Sequence, residues 1–371
     1  MSDGLLYSNR SGTHDPAPAD AAHERSVKRG RILDLLSEAG RDSVLLTSTT
    51  ALTWYLGGSR VHVSLAGDPV AALLVTQEGD HLVTFSNEAE RLTAEELPAD
   101  VVLHQVPWYG ALHDVGTWFG SGVSPAGEGE LAGELRKARR SLLPVELDRY
   151  QTLNEDVAGV LTDVLGAATP HTTEREVAAA LATRLVALGA DPVVLLCNGS
   201  DRAGFRHPLP TDGVLGRRAM AVVCARRHGM IANVTRWVRF DAGTAAEQDA
   251  ESRILAVEHD VFAATVPGAS LNGILTEIGA AYARHGFGAE QWQQHHQGGP
   301  AGYAGRDPRA TPSAGDRVEE NQAFTWNPSA PAVKVEDTVL LEASGLRVLS
   351  ADPRWPVTRV GALDRPAVLQ L

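Results

Sequence analysis

Short apolar runs and amphipathic helical stretches alternate along almost the whole chain. That alternation admits only a layered mixture of sheets and helices. The clearest case is TTEREVAAALATRLVALGAD (172–191), in which Thr173 and Glu176 have the spacing of a capping box. Val177, Leu181, Leu185 and Leu188 recur at helical spacing, and Gly189 supplies the stop. The runs PVVLLC (192–197) and AMAVVCA (219–225) after it read as buried strands.

The same reading extends both ways. Val27, Ile32, Leu35 and Leu36 line one face of a helix that stops at Gly40. SVLLT (43–47) is a short strand, TTALTWYLGG (49–58) a capped helix, VAALLVTQEGDHLVTFS (70–86) a hairpin and DVVLHQVPW (100–108) a further strand. Residues 121–133 are small and polar and read as a linker or loop. Residues 138–168 read as a loop and a long helix, with Pro144 suited to a first helical position. Helices over about 246–265 and 271–286 precede closing strands within 323–349. The expected organisation is therefore a tail over 1–24, a smaller α/β domain over 25–135, and a larger α+β domain over 136–371.

Composition narrows the function classes. A length of 371 residues suits two domains, and 43% apolar residues suffice for a sizeable core. The net charge of −13 disfavours nucleic acid and anionic membranes as partners, because both select basic faces. No apolar run is long enough to span a bilayer, and the N-terminus lacks a secretory pattern. Two cysteines, Cys197 and Cys224, make neither a disulfide framework nor a zinc knuckle, and suit a reducing cytoplasm.

Four segments concentrate polar and aromatic side chains. FRHPLP carries His207, and RRHGMIANVTRWV carries Asn233 and Arg236. QQHHQGGPAGYAGRD carries His295, His296, Tyr303 and Arg306, with Gly298 and Gly299 allowing close backbone approach. FTWNPS and KVEDT carry Asn327 and Glu336. Taken singly, each has an ordinary explanation as a loop, a turn or core.

In order and spacing these segments resemble the family of creatinase, aminopeptidase P, prolidase and methionine aminopeptidase. The resemblance implies a C-terminal pita-bread domain and a smaller creatinase-type α/β domain before it. LLTSTTALTWYLGG resembles the start of that N-terminal domain, and VELDRYQTLNEDVAGVL the opening of the catalytic domain. FRHPLP, ANVTR, HHQGG, FTWNP and VKVEDTVLL fall where the family's active-site strands fall.

The resemblance also implies where metal would sit, and this chain departs there. The family's peptidases hold two Mn²⁺- or Co²⁺-like ions with two Asp, one His and two Glu, and the ions activate a water. ANVTR puts Asn233 at the second Asp position, and counting back eleven residues puts Val222 at the first. FTWNPS puts Asn327 at the first Glu position, while VKVEDT keeps Glu336. The histidine ligand matches either His295 or His296. One carboxylate and one histidine remain, so the expectation is no metal pair and no cofactor, with Mn or Co as the alternative.

By the same resemblance, His207 takes the place of the histidine that shuttles a proton in creatinase, which hydrolyses a C–N bond without metal. An imidazole with an ordinary pKa near about 6.5 suits that work. Arg306 matches an arginine clamp for a substrate carboxylate, and Arg60 would reach in from a dimer partner. Creatine itself is disfavoured, because the carboxylates that would hold its guanidinium fall at Thr235 and Asn327. Asn233 and Asn327 suit a neutral amide, urea or lactam, and Tyr303 joins them as a substrate contact. Trp54, Tyr55, Trp108, Tyr109, Trp237 and Trp326 are candidates for pocket lining or core.

The expected function is thus a metal-independent, creatinase-like hydrolase or lyase acting on a small C–N-bonded metabolite. His207, His295, His296 and Glu336 form its catalytic set. The alternatives are an Xaa-Pro metallopeptidase with an altered site and a non-catalytic binding protein on the same fold. The resemblance implies a homodimer.

Overall fold

The computed structural model describes residues 18–120 and 122–371. Most of the expected tail lies outside them, but its last part is ordered helix. α1 (Pro18–Glu38) takes in residues 18–24 of that expected tail. Two long-range ion pairs hold it: Glu24 engages Arg149, and Arg25 engages Asp80. Local composition carries no trace of these partners.

β1 (Ser43–Leu46) leads into α2 (Thr49–Tyr55), whose first turn is capped by Ser48 Oγ at 3.1 Å from Ala51 N. The expected hairpin is β2 (Ala71–Thr76) and β3 (Asp80–Phe85), followed by α3 (Ala89–Glu95), β4 (Val102–Val106) and α4 (Val115–Phe119). The segment read as a linker contains β5 (Ala126–Gly127) and the start of α5 (Ala132–Arg140). β5 pairs in parallel with β1, and the Glu128 carboxylate accepts from Ser48 N at 2.7 Å. A small, polar run reads as a loop, but here it closes the edge of a five-stranded sheet of order β4-β3-β2-β1-β5.

The long helix α6 (Pro144–Gly166) starts at its proline as expected. α7 (Glu174–Ala187) has the capping box in place, with Glu176 N donating to Thr173 Oγ1 at 3.2 Å. β6 (Asp191–Asn198), β7 (Arg218–Arg227) and β8 (Met230–Arg239) form an antiparallel meander backed by α6 and α7. α8 (Ala245–Ala264) and α9 (Leu271–Arg284) then pack on each other.

The remaining strands are β9 (Gly298–Ala301), β10 (Gln322–Trp326), β11 (Ser329–Ala330), β12 (Val333–Lys334), β13 (Asp337–Glu342) and β14 (Gly345–Val348). The chain ends in β15 (Val357–Val360), β16 (Leu363–Pro366) and β17 (Leu369–Gln370). One sheet runs β14-β13-β10-β9, another β17-β8-β7-β6. Two large cores result: one joins α1, α2, α6 and α7 to the β6–β8 meander, the other joins α8 and α9 to β10 and β13. No described helix is long and apolar enough to cross a membrane.

The two large sheets touch where chemistry is concentrated. Thr235 N donates to Glu336 O at 3.0 Å, and Asn233 N to Thr338 Oγ1 at 3.1 Å. These bonds lock β8 against the start of β13.

Candidate active site

Alternation along β8 puts Asn233, Thr235 and Trp237 on one face. On β7 the register sets Cys224 opposite Asn233 and Val222 opposite Thr235. The loop between β6 and β7 delivers His207, and His295 and His296 stand just before β9. Gly298, at φ +103°, lets β9 lie against β10: a Cβ there would sit 2.1 Å from Thr325 O.

The three histidines form one cluster. His207 Nε2 and His295 Nε2 are 3.1 Å apart, and the His295 and His296 ring centroids are 4.5 Å apart. His295 Nδ1 lies 3.3 Å from Ser329 Oγ. Burial, then Lys334 and the neighbouring imidazoles, push His295 down to about 3. Burial, then Arg306 and Arg309, push His296 down to about 4. His207 is shifted the same way by partial burial and Lys334. All three are therefore neutral at pH 7.

Glu336 is the hub beside them. Its Oε1 accepts from Arg306 Nη2 at 2.7 Å; its Oε2 accepts from Thr235 Oγ1 at 2.7 Å and pairs with Lys334 Nζ at 2.7 Å. Burial would raise this carboxyl, but Lys334 and Arg306 hold it well below the usual range. Lys334 was not singled out in the sequence. The available signal was its i−2 spacing from Glu336 in an extended segment, which directs both side chains to one side. A further layer braces this point: Asp337 binds Arg236 at 2.9 Å and Arg365 at 2.8 Å, and Arg365 also grips Glu258 at 2.6 Å.

Residues 149–343, more than half of the chain, match metallopeptidase family M24. The chain belongs to that family. It is similar in structure to a prolidase from Pyrococcus horikoshii OT3, at 17% identity and TM-score 0.72, over 88% of this chain and 99% of that one. An X-Pro aminopeptidase from Thermotoga maritima MSB8 gives 16% identity and TM-score 0.72, over 92% of this chain and 99% of that one. The N-terminal domain of FACT complex subunit SPT16 from Cicer arietinum gives 12% identity and TM-score 0.64, over 88% and 96%. No curated protein matches the sequence. The expected pita-bread fold is the fold found.

Within this M24 fold, the residues at the expected ligand positions do not fit a pair of dications. Val222 is apolar. Asn233 uses its side-chain amide to donate to Ile231 O at 3.1 Å. Asn327 is buried, and its Oδ1 has no hydrogen-bond partner among the described residues. Glu336 already faces two cations and a hydroxyl. Two neutral amides and one occupied carboxylate leave the charge of two metal ions uncompensated.

Two expected substrate contacts have polar atoms engaged within the chain. Tyr303 is buried, and its hydroxyl donates to Glu146 at 2.6 Å while Lys28 donates to it at 3.2 Å. It ties α1 to α6, so its polar atom is already engaged. Arg60 is exposed, and its Nε donates to Glu96 Oε1 at 2.6 Å. Among the aromatics, Trp54, Tyr55 and Trp326 are fully buried core, and Trp237 carries the Arg218 guanidinium at 4.2 Å. Trp108 and Tyr109 are exposed.

Proposed function

We propose that this M24 chain hydrolyses a C–N bond in a small amide, urea or lactam without a carboxylate-held metal pair. The observation that carries the reading is the Glu336 carboxylate, gripped by Lys334, Arg306 and Thr235 beside three neutral imidazoles. By the resemblance, Lys334 and Arg306 take the place beside Glu336 that metal would take in the family's peptidases.

His207 acts as the proton carrier. Its neutral imidazole takes a proton from water as the oxygen bonds to the carbonyl carbon. It returns that proton to the nitrogen as the C–N bond breaks. Asn327 Oδ1 is a free acceptor for an N–H of the bound group. Arg306 Nε, buried and without a partner among the described residues, is a free donor. The substrate is a small molecule. The protein works as a cytoplasmic homodimer, which suits its free cysteines.

The test is turnover of metal-stripped protein on panels of carboxylate-bearing amides, ureas and lactams. His207→Ala should lower the rate by about 10²–10⁴ with folding intact. An undiminished rate would remove His207 from the mechanism. Family membership favours a second reading, an Xaa-Pro metallopeptidase; Mn²⁺-activated cleavage of an Xaa-Pro dipeptide would establish it instead.

A further inference from the structure

We propose that His207, His295 and His296 form a site for a single zinc-class dication that uses none of the carboxylates of the family's pair. One ring nitrogen from each lies within 4.8 Å of the other two, and these three are the described His, Cys, Asp and Glu side chains grouped closely enough to share an ion. No carboxylate takes part, and neither do the positions of Val222, Asn233 and Asn327.

The geometry needs only a small closure. Zn–N bonds of about 2.0–2.1 Å in a tetrahedron put donor nitrogens about 3.4 Å apart. His207 and His295 already stand at 3.1 Å. His207 is on an exposed loop, so a side-chain rotation brings it into position. With its proton on Nδ1, donated to Ser329 Oγ, His295 presents the Nε2 lone pair to His207; such an outer hydrogen bond orients a ligand imidazole. His296 Nδ1 is buried and has no partner among the described residues.

Ligand chemistry selects the ion. Three imidazoles and no carboxylate favour zinc over manganese or magnesium. Lys334, Arg306 and Arg309 lie around the cluster with Glu336 as their counter-charge, so the fourth position takes an anion such as hydroxide or a carboxylate. A bound ion occupies the lone pair that His207 needs as a base. Zinc therefore inhibits the hydrolysis rather than activating it, a consequence that rests on the function proposed above.

The experiment is calorimetric titration of the chelator-treated full chain with zinc sulfate, with X-ray absorption on the loaded protein. One equivalent should bind with a Kd below about 1 µM. His207→Ala and His295→Ala should each weaken it by about a hundredfold, and Asn327→Ala should leave it unchanged. Circular dichroism checks that each variant folds. Binding below about a tenth of an equivalent, or binding indifferent to both histidine changes, overturns the site. A bound ion that raises turnover overturns the inhibition and the base role of His207, while leaving the site in place.

Discussion

Lys334 Nζ lies 2.7 Å from Glu336 Oε2, and both side chains are almost fully buried. A protein ammonium thus neutralises a carboxylate buried where two sheets meet. This pairing generates the first prediction.

Lys334→Met leaves Glu336 buried with Arg306 as its remaining cation. Breaking a buried pair from one side costs about 3 kcal/mol. Urea denaturation should show that loss. The triple variant Lys334→Met/Arg306→Met/Glu336→Leu should lose less, because it removes both cations together with their carboxylate.

Restoring ligands should not restore a metal centre by itself. The triple variant Val222→Asp/Asn233→Asp/Asn327→Glu should bind Mn²⁺ weakly while Lys334 still holds Glu336. Adding Lys334→Ala should tighten binding by at least about tenfold, about 1.4 kcal/mol. Equal affinity with and without Lys334 would show that the ammonium does not compete.

The pH dependence of stability has a definite sign. His295 and His296 have folded pKa values of about 3 and about 4, below the unfolded value near about 6.5. The unfolded chain therefore binds more protons between these limits, and stability falls as pH drops below about 6.5. Glu336 is also depressed, so its contribution is present above about pH 4.3 and is lost on further acidification. Denaturation midpoints from pH 8 to 4 should decline, and the decline should be shallower in His295→Asn.

The junction of α1 with α6 rests on Lys28, which is fully buried and lies 2.5 Å from Glu24 and 2.8 Å from Glu146. Lys28→Met leaves the buried Glu146 carboxylate without its cation, while Glu24 keeps Arg149, and should cost about 3–5 kcal/mol. Hydrogen exchange should show α1 opening before the β6–β8 meander.

Gly298→Ala is the test of close approach. Its Cβ would meet Thr325 O at 2.1 Å and demand φ +103°. The backbone strain alone is about 1–3 kcal/mol, and the β9–β10 pairing beside His295 should loosen, measured as a lowered Tm.

Local signals were legible along the chain. The box of Thr173 and Glu176, the proline start of α6 and the hairpin of β2 and β3 need only neighbours a few residues away. The expected site segments also reach one place: His207 meets His295, and Arg306 meets Glu336. Nonlocal effects were not legible. β5 closes a sheet edge only because β1 is there to accept it, and Glu24 and Arg25 of α1 find their partners in Arg149 and Asp80, far along the chain.

The sequence by itself determined most of the element pattern and the apolar or neutral character of Val222, Asn233 and Asn327, because residue identity and short-range periodicity suffice for these; its resemblance to a known family pointed to the fold. Tertiary structure alone decided what surrounds Glu336. Thr235 and Glu336 are 101 positions apart, and His207 and His295 are 88 apart. Charge compensation and imidazole clustering act through space over a few ångströms, so the sheets had to meet before Lys334, Arg306 and Thr235 could share one carboxylate.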